Sequence, residues 1–385
     1  MMNLNITDEY RIVVPVRFRR FNHGEPPAAD CPEIDSRGYV MARTSAWGTS
    51  NIRGPLFGVS KGDTVKVRVD REDIDSGCPL FATSSNTSIL EIANDAGRIE
   101  SEGELHVEGK ARGTATIQIR LGSTDGPVLA EADVRVHAVL RVNIKPWFVR
   151  IDTPTAVGTA PVLDSNAVIN RMRAIWRPAG IHFRKLPASH KSTILPTNTL
   201  NQVNIIGANW ASEIAAVFRV KHSDGDPVRA IDWFIVREFT PRESRQTTGW
   251  GGDRRTVDST IDSATGSSIP DTGIISSVIA FGDAIPLGRI ANTTAHEVGH
   301  FFRLSHVHRR NAGDPAPDTY SRLQLMFPLG KLLDGTGGLS LPRFDNVGYG
   351  EGLRGALLTM KNHDHHSSDG EVATARNAIQ SNNWY

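Results

Sequence analysis

His296, Glu297, His300 and His306 stand in the order HExxHxxxxxH. On a helix, side chains four residues apart project from one face, so His296 and His300 can present two imidazoles without further ordering. A catalytic zinc takes three protein ligands and keeps a fourth position for water. His306 follows the second histidine by six residues, where a turn leaving the helix could deliver a third nitrogen. Glu297 adjoins the first ligand, placed to reach a water at the metal as general base rather than to bind the metal itself. With 13 His and 42 acidic residues in 385, such a pattern is expected by chance about 0.002 times per chain.

Other residues compete for the third place. His308 is a substitute ligand if the turn takes another path. Asp314 and Asp318 would suit an aspartate-ligated variant, but they lie in a proline-rich loop. A glutamate from a later helix has no candidate before Glu351, which sits among glycines. His363, His365 and His366 suggest a second metal site, although their polar surroundings read more simply as an exposed loop or helix cap. Cys31 and Cys78 are the two cysteines, each followed by proline. One disulfide is open to them in an oxidising compartment, but spacing alone does not bring their Cα atoms together.

The elements that must position these residues are legible in part. Asp164 or Ser165 can cap a helix whose stripe is Ile169, Met172, Ile175 and Trp176, and Pro178 to Gly180 stops it. A second helix is expected over Trp210 to Phe218. Leu140 to Ile144, Ala230 to Val236 and Gly273 to Phe281 read as strands, the second buried and central. Gly249 to Gly252 reads as a loop near the cleft. A last helix is expected over Glu371 to Gln380. Residues 1–138 alternate short apolar strands with turns: Tyr10 to Phe18, Thr64 to Val69, Thr114 to Arg120 and Ala132 to Val136.

These motifs, taken in order, resemble the metzincin zinc metalloproteases over roughly residues 140–385. Leu325-Met326-Phe327-Pro328 looks like the methionine turn of the matrixins. Asn166 to Phe183 looks like the first helix and following strand of the family's upper subdomain. The resemblance implies that zinc is the cofactor, held by His296, His300 and His306, with Glu297 catalytic and Met326 packed beneath the imidazoles. It also implies that the strand at Gly273 to Phe281 is the sheet edge lying antiparallel to substrate, where the run alone also reads as a fully buried strand. Val307 to Leu325 would line the pocket after the cut, with Arg309 and Arg310 near its mouth. The family usually has glycine where this chain has Arg303, a position that favours positive φ. Pro328 stands where some relatives place a tyrosine. Gly103 to Ile117 resembles late strands of bacterial Ig-like domains. The expected fold is therefore multidomain: an N-terminal all-β Ig-like sandwich (1–138), then an α/β (α+β) metzincin-like catalytic domain (139–385). Residues 1–50 would add strands or form a docking segment.

Composition narrows the function classes. Net charge is +1, with 39% hydrophobic and 22% charged residues, which carries no nucleic-acid footprint. No apolar run approaches the ~20 residues of a membrane-spanning helix. Met1 to Glu9 lacks the basic and apolar regions of a secretory signal. The leading expectation is a zinc endopeptidase on protein or peptide substrates, as a bacterial secreted enzyme or injected toxin acting outside the producing cytoplasm. Its N-terminal part would engage a partner or export machinery. The alternatives are a zinc amide hydrolase acting on cell-wall peptides, and a catalytically silent binding protein working through the N-terminal part.

Overall fold

The structure, a computed structural model, describes residues 16–21, 30–32, 34–45, 48–71, 74–75, 77–100, 102–195, 200–204, 210–221, 229–240, 249–251, 273–280, 283–304, 325 and 370–381. Among the described residues the first half is strand apart from turns and one 3-10 turn at Asp95–Gly97: β1 (Val16–Arg20), β2 (Asp35–Ser45), β3 (Gly48–Ser60), β4 (Thr64–Arg71), β5 (Leu80–Ser84), β6 (Leu90–Ile92), β7 (Arg98–Ile99), β8 (Glu104–Gly109), β9 (Gly113–Leu121) and β10 (Val128–His137). They form a four-stranded sheet, order β1-β4-β8-β6, and a six-stranded sheet, order β2-β3-β10-β9-β5-β7. Alternation decides what is buried. Val65, Val67 and Val69 of β4 meet Ile117 and Ile119 of β9 in one core shared by the two sheets, while the residues between them face outward.

The second half contains a larger sheet: β11 (Leu140–Asp152), β12 (Ile181–Lys185), β13 (Ser189–Ile194), β14 (Gln202–Asn204), β15 (Ile231–Thr240), β16 (Gly249–Gly251), β17 (Ile274–Ala280) and β18 (Asp283–Ala284). Its backbone order is β12-β11-β15-β17-β16. The pairs β11/β12, β11/β15 and β15/β17 are parallel, and among the described residues only β16 and β18 pair antiparallel, both with β17. Among the described residues four helices accompany it: α1 (Ser165–Trp176), α2 (Trp210–Arg219), α3 (Leu287–Phe301) and α4 (Gly370–Ser381). Side chains on the strands separate two faces. Val142, Ile144, Ile231, Trp233 and Ile235 pack with α1, α3 and α4. Trp147, Val149, Ile151, Phe234 and Val236 pack with α2. Burial on both faces explains why the parallel strands read as continuous apolar runs.

This architecture corrects the fold expected from sequence. The protein is mostly β, and neither an Ig-like sandwich nor a metzincin-like α+β domain after it is what forms. Among its described residues the first half holds ten strands with a parallel β3/β10 pair and a long β2–β3 hairpin, not the seven antiparallel strands of an Ig constant-type domain. Period-2 alternation identifies strands but not their partners, which long-range packing selects. Two local expectations also change. Gly249 to Gly251 is a strand rather than a loop, and because β16 pairs with its outer side, β17 is not the sheet edge. Its residues 274–278 are buried.

Helix α1 follows the sequence closely. Asp164 caps it by accepting from the backbone N–H groups of Asn166 and Ala167. A single 3-10 turn at Arg177–Ala179 ends it, and Gly180 at φ 72° turns the chain into β12. Cys31 is buried, Cys78 is exposed, and both are free thiols. Burial, then the neighbouring Asp30 carboxylate, pushes the Cys31 thiol up to about 11. Among the described residues no helix is long and apolar enough to cross a membrane.

His137, buried at the end of β10, gives the fold a pH dependence. Burial lowers its imidazole to about 3, and the positive charges of Arg376, Arg135 and Arg112 add to the effect. The unfolded chain therefore takes up this proton first as pH falls from about 6.5, and stability present above that pH is lost toward pH 3. At pH 5 the loss from this group is about 2 kcal/mol. Urea unfolding at pH 7.5 and pH 5 should show wild type losing about that much more than His137→Leu. Equal losses in the two proteins would contradict it.

Candidate metal centre

Helix α3 carries His296 and Glu297, both buried, and His300, half-buried near its end. Ala291, Ala295, Val298 and Phe302 form its core stripe at spacings of four, three and four, as an amphipathic helix requires. Two polar ties fix it. Thr294 Oγ1 donates to the Ile290 carbonyl (2.7 Å), so Ser276 Oγ on β17 donates to Thr294 (3.1 Å). Ser276 in turn accepts from Trp233 Nε1 (3.1 Å). From the other side, Arg171 Nε on α1 donates to Asn292 Oδ1 (3.1 Å). The helix is thus pinned to sheet and helix within one turn of the histidines.

The end of α3 answers the question raised by Arg303. Arg303 has φ 67°, in the left-handed region. Its N–H bonds to the His300 carbonyl (2.8 Å), and the Leu304 N–H reaches back to Gly299 (2.9 Å). This pair is a complete Schellman motif, usually built on glycine. A non-glycine residue there costs about 1–2 kcal/mol. Glycine would relieve that strain but would loosen the unfolded chain by about 0.5–1 kcal/mol. Arg303→Gly should therefore raise stability by roughly 0.5–1 kcal/mol, measured as a denaturation midpoint. A lower midpoint would mean that the arginine side chain contributes more than its backbone costs.

The two imidazoles are perpendicular (88°), with ring centres 4.7 Å apart. His296 is 1% exposed and Glu297 6%. His300 Nδ1 lies 2.8 Å from the Leu304 carbonyl, and His296 Nδ1 lies 2.7 Å from the Leu325 carbonyl. A carbonyl only accepts, so each Nδ1 donates there, and in the neutral ring Nε2 is the nitrogen that can ligate a metal. This is the outer-shell arrangement that orients metal-binding histidines. The donor set of these two rings fits zinc. Leu325, buried against the α1 and α3 core, brings the chain just before Met326 next to His296.

Among the described residues no group of three His, Cys, Asp or Glu side chains stands ready to hold a metal. His306, His308, Met326, Arg309, Arg310, Asp314, Asp318, Glu351, His363, His365 and His366 lie outside the described residues. The structure thus brings together His296, Glu297 and His300. Sequence reasoning missed the carbonyls of Leu304 and Leu325, since main-chain acceptors leave no mark in residue type. It also missed the Ser276–Thr294 tie.

No protein-family model matches the chain, and no curated protein matches it. Among solved structures, domains 4 and 5 of the S-layer protein SbsC are 21% identical with a TM-score of 0.16, covering 27% of this chain and 53% of that one. This chain thus spans about half of that structure. A 2,6-sialyltransferase from a Photobacterium species is 11% identical with a TM-score of 0.20, covering 47% and 34%. A cohesin module from Clostridium perfringens is 12% identical with a TM-score of 0.12, covering 27% and 99%. Similarities of this strength carry no argument about fold or function.

Proposed function

We propose that the chain is a zinc-dependent peptide hydrolase, with His296 and His300 as ligands from one helix, His306 as the third, and Glu297 as general base. The observation that carries this reading is the perpendicular histidine pair, His296 buried and His300 half-buried, whose Nδ1 atoms are both tied to main-chain carbonyls. Zinc held there would supply a Lewis acid for the scissile carbonyl and lower the pKa of water toward ~7.

The protein's own residues do the rest. The Leu304 and Leu325 carbonyls fix the tautomer and aim of the two rings. Glu297, adjacent to His296 in sequence and nearly buried, takes the proton of the attacking water and hands it to the leaving amine. An active peptide hydrolase endangers the cell that makes it, so the proposed place of action is outside the producing cytoplasm, as a secreted enzyme or injected toxin. Cleavage profiling on a pool of proteome-derived peptides tests the reading. New amino termini are expected with wild type and not with Glu297→Gln. Identical profiles, or none with zinc-loaded wild type, would remove it.

A further inference from the structure

The single turn after α1, Arg177–Ala179, is gripped from two sides. From the N-terminal sheets, Asp63 accepts both Arg177 Nε (2.5 Å) and Nη2 (2.6 Å), a bidentate pair. Ser60 Oγ donates to the Arg177 carbonyl (2.6 Å). From α4, Arg376 Nη1 donates to the Ala179 carbonyl (2.8 Å). Leu56 of β3, 1% exposed, packs in the core of α1 and α3 rather than in that of its own sheets.

Ser60, His182 and Asp63 also lie together, a combination that can mean nucleophilic catalysis. The hydrogen bonds rule that out. Ser60 spends its proton on the Arg177 carbonyl, so His182 Nε2 donates to Ser60 (2.9 Å) instead of accepting from it. Asp63 lies 3.6 Å from the same Nε2, whereas a triad carboxylate holds Nδ1. Ser60 is 1% exposed. The cluster is a joint.

What the joint holds lies one residue back. Trp176, fully buried, packs edge-on against Phe302 (5.4 Å, 88°) and Phe183 (6.4 Å, 87°). Phe183 stacks on Phe302 (6.5 Å, 5°). Phe302 is the last residue before left-handed Arg303, and the next residue, Leu304, supplies the carbonyl that holds His300.

We propose that Asp63, in the turn between β3 and β4, is a positioning residue for the metal helix. It clamps Arg177, which sets Trp176 against Phe302 and so fixes the turn whose Leu304 carbonyl orients His300. This rests on reading His300 as a metal ligand. The N-terminal sheets then form part of the scaffold of the site rather than an attached module.

The test uses the full-length chain, His-selectively 15N-labelled and free of metal, at a pH where histidine is neutral. Solvent exchange of the His300 Nδ1 proton is read by NMR, and zinc affinity by competition with a chromophoric chelator. Asp63→Asn should speed that exchange and weaken zinc binding, each roughly fivefold. Asp63→Glu should restore part of both. Val67→Ala, deep in the N-terminal core, should lower stability without moving either. Arg177→Lys keeps the charge but loses the fork, and stands in if Asp63→Asn does not fold. The inference is overturned by wild-type exchange in Asp63→Asn and Arg177→Lys, by an equal change in Val67→Ala, or by an unprotected proton in wild type. If wild type binds no zinc while Asp63→Asn still speeds exchange, the metal reading fails and the positioning role stands.

Discussion

Glu297→Gln is expected to lower the rate of peptide hydrolysis by about 10²–10⁴, the usual contribution of a positioned general base. Zinc content should stay near one per chain, because the amide keeps the shape of the carboxylate and the Nδ1–carbonyl contacts of His296 and His300 do not involve it. The loss should fall on kcat. A substitution that removes only the proton acceptor leaves the main-chain supports of the two rings in place, so peptide binding changes little. Rate and metal content, measured on the same preparation, separate this outcome from simple misfolding. Equal turnover by the two proteins would sink the mechanism.

The second large effect concerns the third ligand. His306→Ala should weaken zinc binding by several orders of magnitude, since two imidazoles alone do not complete the set of a catalytic zinc site. His308→Ala should leave zinc content unchanged. The reverse result, with zinc retained in His306→Ala and lost in His308→Ala, would move the ligand by two positions. Because α3 is held by Ser276, Thr294 and Arg171, neither substitution should unfold it. Far-ultraviolet circular dichroism can verify this before metal is counted.

How much of this was legible in the sequence depends on the range of the interaction. Spacing of four put His296 and His300 on one helix face, and the Asp164 cap and Gly180 stop of α1 are local signals read correctly. Arg303 also announced itself, as a residue type out of place where positive φ is needed, and the structure accepts the strain. Pairing was not legible. The run from Gly273 to Phe281 left a sheet edge and a fully buried strand both open, and β17 is in fact paired on both sides with residues 274–278 buried. The N-terminal alternation gave strands without giving their sheet order, so the Ig-like expectation failed on topology. The Asp63–Arg177 contact spans 114 residues, and nothing in the local pattern around either residue points to the other.

The grip on the turn at Arg177–Ala179 also sets an order of events during synthesis. Asp63 and Ser60 leave the ribosome well before the turn they hold, and Arg376 follows Ala179 by 197 residues. At about 5–20 residues per second, that interval lasts roughly 10–40 s. Throughout it the nascent chain carries a turn secured from the N-terminal side alone. The histidine pair emerges within the same interval, so the last tie on this turn is made only after Arg376 has emerged.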